Sequence, residues 1–250
     1  MKISVVTAVR DGAATIGAML DSLHGQSHPD IQHVVQDGAS VDGTLDIVRA
    51  AQRDETLVLS EPDNGIYDAI NRGIARATGD IVGLLHADDQ LAGPEVLSEV
   101  AAAFADPSVD GVYGDLEYVA RDNPERVIRR WKAGAFDMSL LRRGWMPPHP
   151  TLYLRREVFT RAGLYDTSFR ISGDYDAMLR FLTAGRVRLA YLPMVMVRMK
   201  MGGVSNRSMA HILRKSREDY RAIRRHGVGG IGTLVAKNVS KLGQFRATGS

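Results

Sequence analysis

Through residue 105 the chain alternates short apolar runs with stretches of helical periodicity, and that alternation leaves few folds open. Ile3-Ser4-Val5-Val6-Thr7-Ala8-Val9 is too short for an ordinary helix and reads as a strand buried on both faces. Thr15 to Gln26 then carries Ile16, Met19, Leu20 and Leu23 at helical spacing, and Ile31 to Gln36 returns to strand. Asp42-Gly43-Thr44 opens a second helix with Asp42 as its cap. Leu57 to Ser60 is a third strand, Ile66 to Ala77 a helix, and Ile81 to Leu85 a fourth strand. Such alternation predicts an α/β fold, a mostly parallel sheet with helices on both faces.

After residue 105 the pattern loosens. Gly111 to Asp115 and Arg126 to Trp131 predict strands in an antiparallel arrangement, Gly144 to Pro150 a loop leading to Thr151-Leu152-Tyr153-Leu154, and Asp174 to Leu182 a helix. No internal repeat or long linker separates the halves, so the second is expected to complete the same domain.

The polar residues cluster where strands end. Thr7 to Asp11 follows the first strand, Asp37 the second, and His86-Ala87-Asp88-Asp89 the fourth. In an open α/β sheet these ends share the edge where ligands bind. Adjacent carboxylates raise each other's proton affinity unless a cation or hydrogen-bond donors intervene, and a divalent ion carrying a diphosphate is such a cation. The same aspartates also suit helix caps, so convergence on one edge is what favours a site. A P-loop is absent, and no Gly-x-Gly-x-x-Gly follows the first strand. The one match, Gly227 to Gly232, follows a basic segment instead of a strand and reads as a loop.

Cysteine is absent, which excludes disulfides and thiolate metal sites. An apolar strand from Ile3 leaves no secretory-signal layout, and no apolar run reaches the roughly 18 residues of a membrane span. The expectation is a cytoplasmic protein.

Taken in order, several stretches resemble family 2 glycosyltransferases of the GT-A fold, the Rossmann-like nucleotide-diphospho-sugar transferase fold, of the kind that builds bacterial polysaccharides and glycolipids. They are Val5 to Val9, Asp37 to Thr44, Asp63 to Gly73, Ala77 to Asp80, His86 to Asp89, His149-Pro150 and Gly173 to Asp176 leading to Leu179-Arg180. The resemblance spans roughly residues 3 to 205. It implies a nucleotide-diphosphate sugar donor, Mg²⁺ or Mn²⁺, inversion at the anomeric carbon, and a glycan or lipid-linked acceptor. It divides the chain into a catalytic domain, 1–206, with a nucleotide-sugar half (1–105) and an acceptor half (106–206), and a basic tail, 207–250.

Position by position, the resemblance implies that Thr7 and Val9 line the nucleotide, beside Asp11, and that Asp37 accepts from the base. Asp68, Asn71 and Arg72 share a helix face and would reach the diphosphate or sugar; Arg72 could instead pair with Asp68. Asp88 would hold the metal. His86 stands where the motif usually begins with Asp, which leaves ligation to Asp88 with Asp89 or His149 assisting. Asp174 would be the base that deprotonates the acceptor. Trp145, His149, Tyr175 and Asp176 are the acceptor-side candidates, the aromatic rings as platforms for a sugar face. Two other readings stand beside transfer: a nucleotidyltransferase that makes sugar nucleotides, which usually needs a Gly-rich basic loop in place of Arg10-Asp11-Gly12-Ala13, and a binding module without a base.

The tail carries 10 Lys and Arg against 2 acids, although the whole chain is only +3. From His211 to Arg225 a stripe of Leu213, Ser216, Tyr220 and Ile223 runs beside one of Arg214, Arg217, Arg221 and Arg224. That pattern suits an anionic membrane surface. Scarce aromatic residues argue against nucleic acid.

Overall fold

The computed structural model describes residues 1–123, 125–200 and 209–243. The expected boundary at 206 and the end of the tail lie outside the described residues.

Four strands form the parallel half: β1 (Ile3–Val9), β2 (Ile31–Asp37), β3 (Thr56–Ser60) and β4 (Ile81–Leu84). They are joined by α1 (Ile16–His24), α2 (Thr44–Ala50) and α3 (Ile66–Arg76). The order is β3-β2-β1-β4, with β1 parallel to both β2 and β4. The chain therefore winds outward from β1 in one direction and then in the other. Between β1 and β4 the carboxyl ends open a crevice, the topological switch point at which such sheets bind ligands.

Beyond β4 the chain leaves that path. Asp89–Leu91 (β5) runs to the far edge of the sheet, followed by α4 (Val96–Ala103), β6 (Gly111–Val119) and β7 (Val127–Trp131). A 3₁₀ segment (Met138–Arg143) and a 3₁₀ turn (His149–Thr151) lead to β8 (Tyr153–Arg155), α5 (Arg156–Ala162), α6 (Gly173–Leu182) and β9 (Leu189–Lys200). β8 adds antiparallel to β4, β6 antiparallel to β8, and β9 parallel to β6, so one sheet continues through both halves. β7 pairs antiparallel with β6. β5 pairs with the end of β9, Asp89 opposite Met199, so the chain turns sharply at Asp88. β4 passes Tyr153 of β8 only because residue 83 is glycine: a Cβ there would enter the Tyr153 ring.

Two apolar layers cover the sheet. α1 and α4 contribute Ile16, Met19, Leu97 and Val100 to one; α3, α5 and α6 contribute Ile70, Ile74, Phe159 and Phe181 to the other. The second layer also takes in the C-terminal helices, α7 (Met209–Arg225) and α8 (Ile231–Gly243). The buried face of α7 differs from the expected stripe. Asp219, Ala222 and Ile223 are buried, whereas Leu213 and Tyr220 are exposed. Polar pairing explains the difference, because it lets charged groups share the docked face: Lys215 and Lys237 form ion pairs with Asp219, Arg225 pairs with Asp176, and His226 hydrogen-bonds Asp176. Among the described residues no helix is long and apolar enough to cross a membrane.

Candidate active site

The crevice between β1 and β4 holds a hollow of about 600 Å³. Val9, Arg10, Asp11 and Gly12 form one wall, Asp63, Gly65 and Ile66 another, and His86, Ala87 and Asp88 the floor, with Arg121 reaching in from beyond β6. The turn after β1 is cross-braced. Asp11 adopts a φ of 51°, a left-handed conformation that aspartate tolerates better than most side chains. Its N–H donates to Ser40 Oγ (2.8 Å), and its carboxylate accepts from Val41 N (3.0 Å).

A second hollow, of about 260 Å³, adjoins the first. It is lined by His149, Asp174 and Tyr175, by Tyr118 and Trp131 of the sheet, and by Lys215, Asp219 and Lys237 of the C-terminal helices. His86 lines both hollows, with Asp88 in the first and Asp174 in the second.

Around His86 the imidazoles are held neutral. Burial lowers the proton affinity of His86, against the opposing pull of Asp88 and Asp174. His149, its ring centroid 5.8 Å away, is lowered to about 4, chiefly by burial. Tyr165 Oη bonds His149 Nε2 at 3.0 Å, and Tyr67 stacks on Tyr165 with centroids 5.9 Å apart. Tyr67 Oη donates to Ile171 O (2.7 Å) and lies 3.4 Å from Asp174 Oδ1. Position 173 must be glycine for this arrangement, since a Cβ would come within 2.7 Å of the Tyr67 ring. From the other side, Glu218 of α7 accepts the N–H groups of Ile171 (2.8 Å) and Ser172 (2.9 Å), which fixes the start of the helix carrying Asp174.

Not every residue singled out in the sequence reaches these hollows. Val9, Asp11, His86 and Asp88 line the first, and His86, His149, Asp174 and Tyr175 the second. Thr7 is buried, its hydroxyl on Leu85 O and His33. The Asp37 carboxylate is also buried and accepts from Ser40 and Ser60. Asp68 pairs with Arg72, and Asn71 bonds the backbone of Tyr165 through both amide atoms. Trp145, half-buried, stacks on Phe136 against the core, its indole N–H on Ala133 O. Asp176 is wholly buried on His226 (2.9 Å), on the face of α6 turned away from the hollow.

Asp89 is the sharpest departure. Its carboxylate is wholly buried, lines neither hollow, and has no hydrogen-bond partner on either oxygen. Burial and the neighbouring Asp88 raise its proton affinity well above the ordinary range. Asp89 therefore lies outside the hollow where an ion carried by a diphosphate would sit.

Charged lining residues that the sequence did not single out include Asp63, Arg121, Lys215, Asp219 and Lys237. Asp63 lay within a recognised stretch. The others come from elements whose approach to the site has no local sequence signal.

No group of three or more His, Cys, Asp or Glu among the described residues could enclose a metal. An ion bound here would have to take its remaining ligands from phosphate and water, the usual arrangement for Mg²⁺ with nucleotides. Asp88 and the neutral imidazole of His86 both line the first hollow and suit an ion carried in by a diphosphate.

Comparison with known proteins agrees with this architecture. The "PGL/p-HBAD biosynthesis glycosyltransferase" of Mycobacterium tuberculosis is 34% identical over 209 residues, 81% of this chain and 78% of the relative. Two solved structures share the fold. A mannosyltransferase of Pyrobaculum calidifontis, in complex with GDP-Man and Mn²⁺, superposes with a TM-score of 0.67 at 21% identity, over 100% of this chain and 76% of that one. S. aureus TarS 1-349 in complex with UDP-GlcNAc also gives 0.67, at 19% identity, over 91% of this chain and 66% of that one. The family model described as "Glycosyl transferase family 2" matches residues 4–171, and the chain belongs to that family, a glycosyltransferase built on the GT-A fold.

Proposed function

We propose that this glycosyltransferase inverts the anomeric centre as it moves a sugar from a nucleotide-diphosphate donor to a hydroxyl of a glycan or lipid-linked acceptor. The observation that carries the reading is the meeting of two hollows at His86, with Asp88 in one and Asp174 in the other. Direct displacement needs the leaving group and the base on opposite sides of the anomeric carbon, and this geometry offers both sides. Residues 1–105 supply most of the donor side and residues 106–206 much of the acceptor side, with the 207–250 segment completing it.

In the proposed reaction, the donor diphosphate lies against Asp88 and the backbone after β1, and the sugar beside His86. The acceptor hydroxyl enters the second hollow and gives its proton to Asp174. Its oxygen bonds to the anomeric carbon as the bond from that carbon to the diphosphate oxygen breaks, and the bonding electrons leave with the nucleoside diphosphate. Mg²⁺ or Mn²⁺, held by Asp88 with His86 as second donor, would neutralise charge developing on that leaving group. In the second hollow His149 Nε2 is engaged by Tyr165 and both oxygens of Asp219 by lysines, which favours the Asp174 carboxylate as the group that takes the proton. The donor complexes of the two structural neighbours support a nucleotide-sugar substrate.

The test is a calorimetric titration of UDP-, GDP- and dTDP-sugars with and without Mn²⁺, followed by NMR of the transfer product. Ion-dependent binding and an inverted product are expected. Ion-independent binding, or a retained configuration, would overturn the proposal.

A further inference from the structure

The carboxylate expected to meet the nucleotide base is not open to it. Asp37 is fully buried, lines neither hollow, and accepts from Ser40 N–H (3.0 Å), Ser40 Oγ and Ser60 Oγ (2.6 Å). Those bonds tie the ends of β2 and β3 together, which is a structural task. Three other carboxylates line the first hollow: Asp11, Asp63 and Asp88. Asp11 accepts from Val41 N (3.0 Å) and has Arg10 Nε at 3.9 Å. Asp88 belongs with His86 to the floor proposed for the diphosphate and its ion.

Asp63 is differently placed. Its Oδ1 accepts from Gly65 N–H (2.8 Å) and holds the loop after β3 in shape. Its Oδ2 has no donor among the described residues, and the half-buried side chain does not seal that oxygen from solvent. A Cβ at residue 38 would run into Oδ2, so the glycine there lets this carboxylate lie over the end of β2, near Arg10.

Position and charge decide what Oδ2 meets. In the order β2-β1-β4 the end of β2 stands two strand spacings, about 10 Å, from the end of β4. A nucleotide with its diphosphate at Asp88 therefore extends its base toward Asp63, with the ribose between. A carboxylate without a metal repels a diphosphate, and it accepts hydrogen bonds but donates none. A ring N–H is its complement. Ile66 on the same wall, 42% exposed, offers an apolar surface to the plane of a base.

We infer that Asp63, in place of Asp37, reads the base of the donor, and that it selects a base with an imino N–H: N3–H of uracil or thymine, or N1–H of guanine. Cytosine and adenine present a lone pair at that position, which the carboxylate repels. This inference rests on the proposed reading of the first hollow as the donor side.

The test is calorimetric titration, with Mg²⁺ present, of two matched pairs that differ on this edge of the base: UDP against CDP, and IDP against ADP. In whichever pair binds, the imino-bearing member should be favoured about ten- to a hundredfold, the worth of a hydrogen bond to a charged group. Asp63→Asn keeps an oxygen for Gly65 N–H but can also turn an amide N–H toward the base. It should therefore abolish most of the preference while CDP or ADP binds at least as well as to the parent protein. Asp37→Asn should leave the preference as it was. Equal binding within a pair by the parent protein, or a preference lost in Asp37→Asn and kept in Asp63→Asn, would overturn the inference. So would both members weakened alike by Asp63→Asn with the preference intact, which would move Asp63 to the ribose. Failure of every nucleoside diphosphate to bind would instead overturn the donor reading itself.

Discussion

Glu218 accepts the backbone N–H of Ser172 at 2.9 Å, two residues before Asp174 and from a helix that begins 27 residues after α6 ends. The same carboxylate takes the N–H of Ile171 at 2.8 Å, and that of Arg170 lies 3.2 Å from both of its oxygens. These are charge-assisted bonds at the positive end of the helix that carries the proposed base. Glu218 is therefore a positioning residue. Glu218→Gln keeps an accepting oxygen but loses the charge and one acceptor, and is expected to lower kcat about tenfold or more. Nucleotide affinity by calorimetry should stay unchanged, because the first hollow does not contact α7. A parallel fall in nucleotide binding would mean general loosening.

Asp174→Asn should separate chemistry from binding. Removing a general base typically costs about 10²- to 10⁴-fold in rate, and here it should leave donor affinity within error of the parent chain. Single-turnover transfer with calorimetry in parallel measures both. Parent-like turnover would remove Asp174 from the role proposed for it.

Asp88 and Asp89 are neighbours in sequence and opposites in environment. Asp88→Ala is expected to abolish the ion-dependent part of donor binding. Asp89→Asn should leave it intact, because that carboxylate lines neither hollow. Donor titration with and without Mn²⁺ on both variants decides the assignment, and loss of ion dependence in Asp89→Asn would return Asp89 to the metal.

The parallel half of the fold was legible because each of its elements is local. The Ile3 to Val9 strand and the Ile16-Met19-Leu20-Leu23 helix stripe each declare themselves within a few residues, and the polar strand ends follow from the topology. β5 and β9 were not legible. Asp89–Leu91 is a strand only because Val197 to Met199, more than 100 residues away, lies beside it. The face of α7 was misread for a related reason: Asp219 and Lys215 count as polar, yet pairing with each other and with Lys237 lets them pack inward. Trp145 and Asp176 carried the right chemistry for an acceptor site, but Phe136 and His226 engage them elsewhere.

We propose that any contact with an anionic membrane would involve α8 as much as α7. Ile231, Val235 and Val239 recur every four residues along α8, and all are more than half exposed. Ile212 and Leu213 are exposed on α7 beside Arg214 and Arg217. Apolar side chains next to arginines favour an anionic lipid surface. Sedimentation with anionic liposomes at low salt should carry the protein down, and Val235→Asp with Val239→Asp should release it. Equal recovery with neutral vesicles would reduce the effect to nonspecific adsorption.

Stability should fall on acidification because His149 and His33 are buried uncharged. Their proton affinities are lowered from 6.5 to about 4 and about 3, in each case mainly by burial. Between those values and 6.5 the unfolded chain binds more protons than the folded one, so acid favours unfolding in that window. Each group's contribution is fully present above pH 6.5 and erodes as the pH falls. At about 1.4 kcal/mol per unit, His149 alone accounts for roughly 3 kcal/mol. Asp89 acts with the opposite sign, since its raised proton affinity stabilises the folded state at low pH and loses that contribution as the pH rises. Denaturant titrations across this range should therefore show a steep acid limb in the parent protein, a shallower one in His149→Asn, and relief of the alkaline loss in Asp89→Asn. Superimposable acid limbs for the parent and His149→Asn would mean that the imidazole takes up its proton without opening the structure.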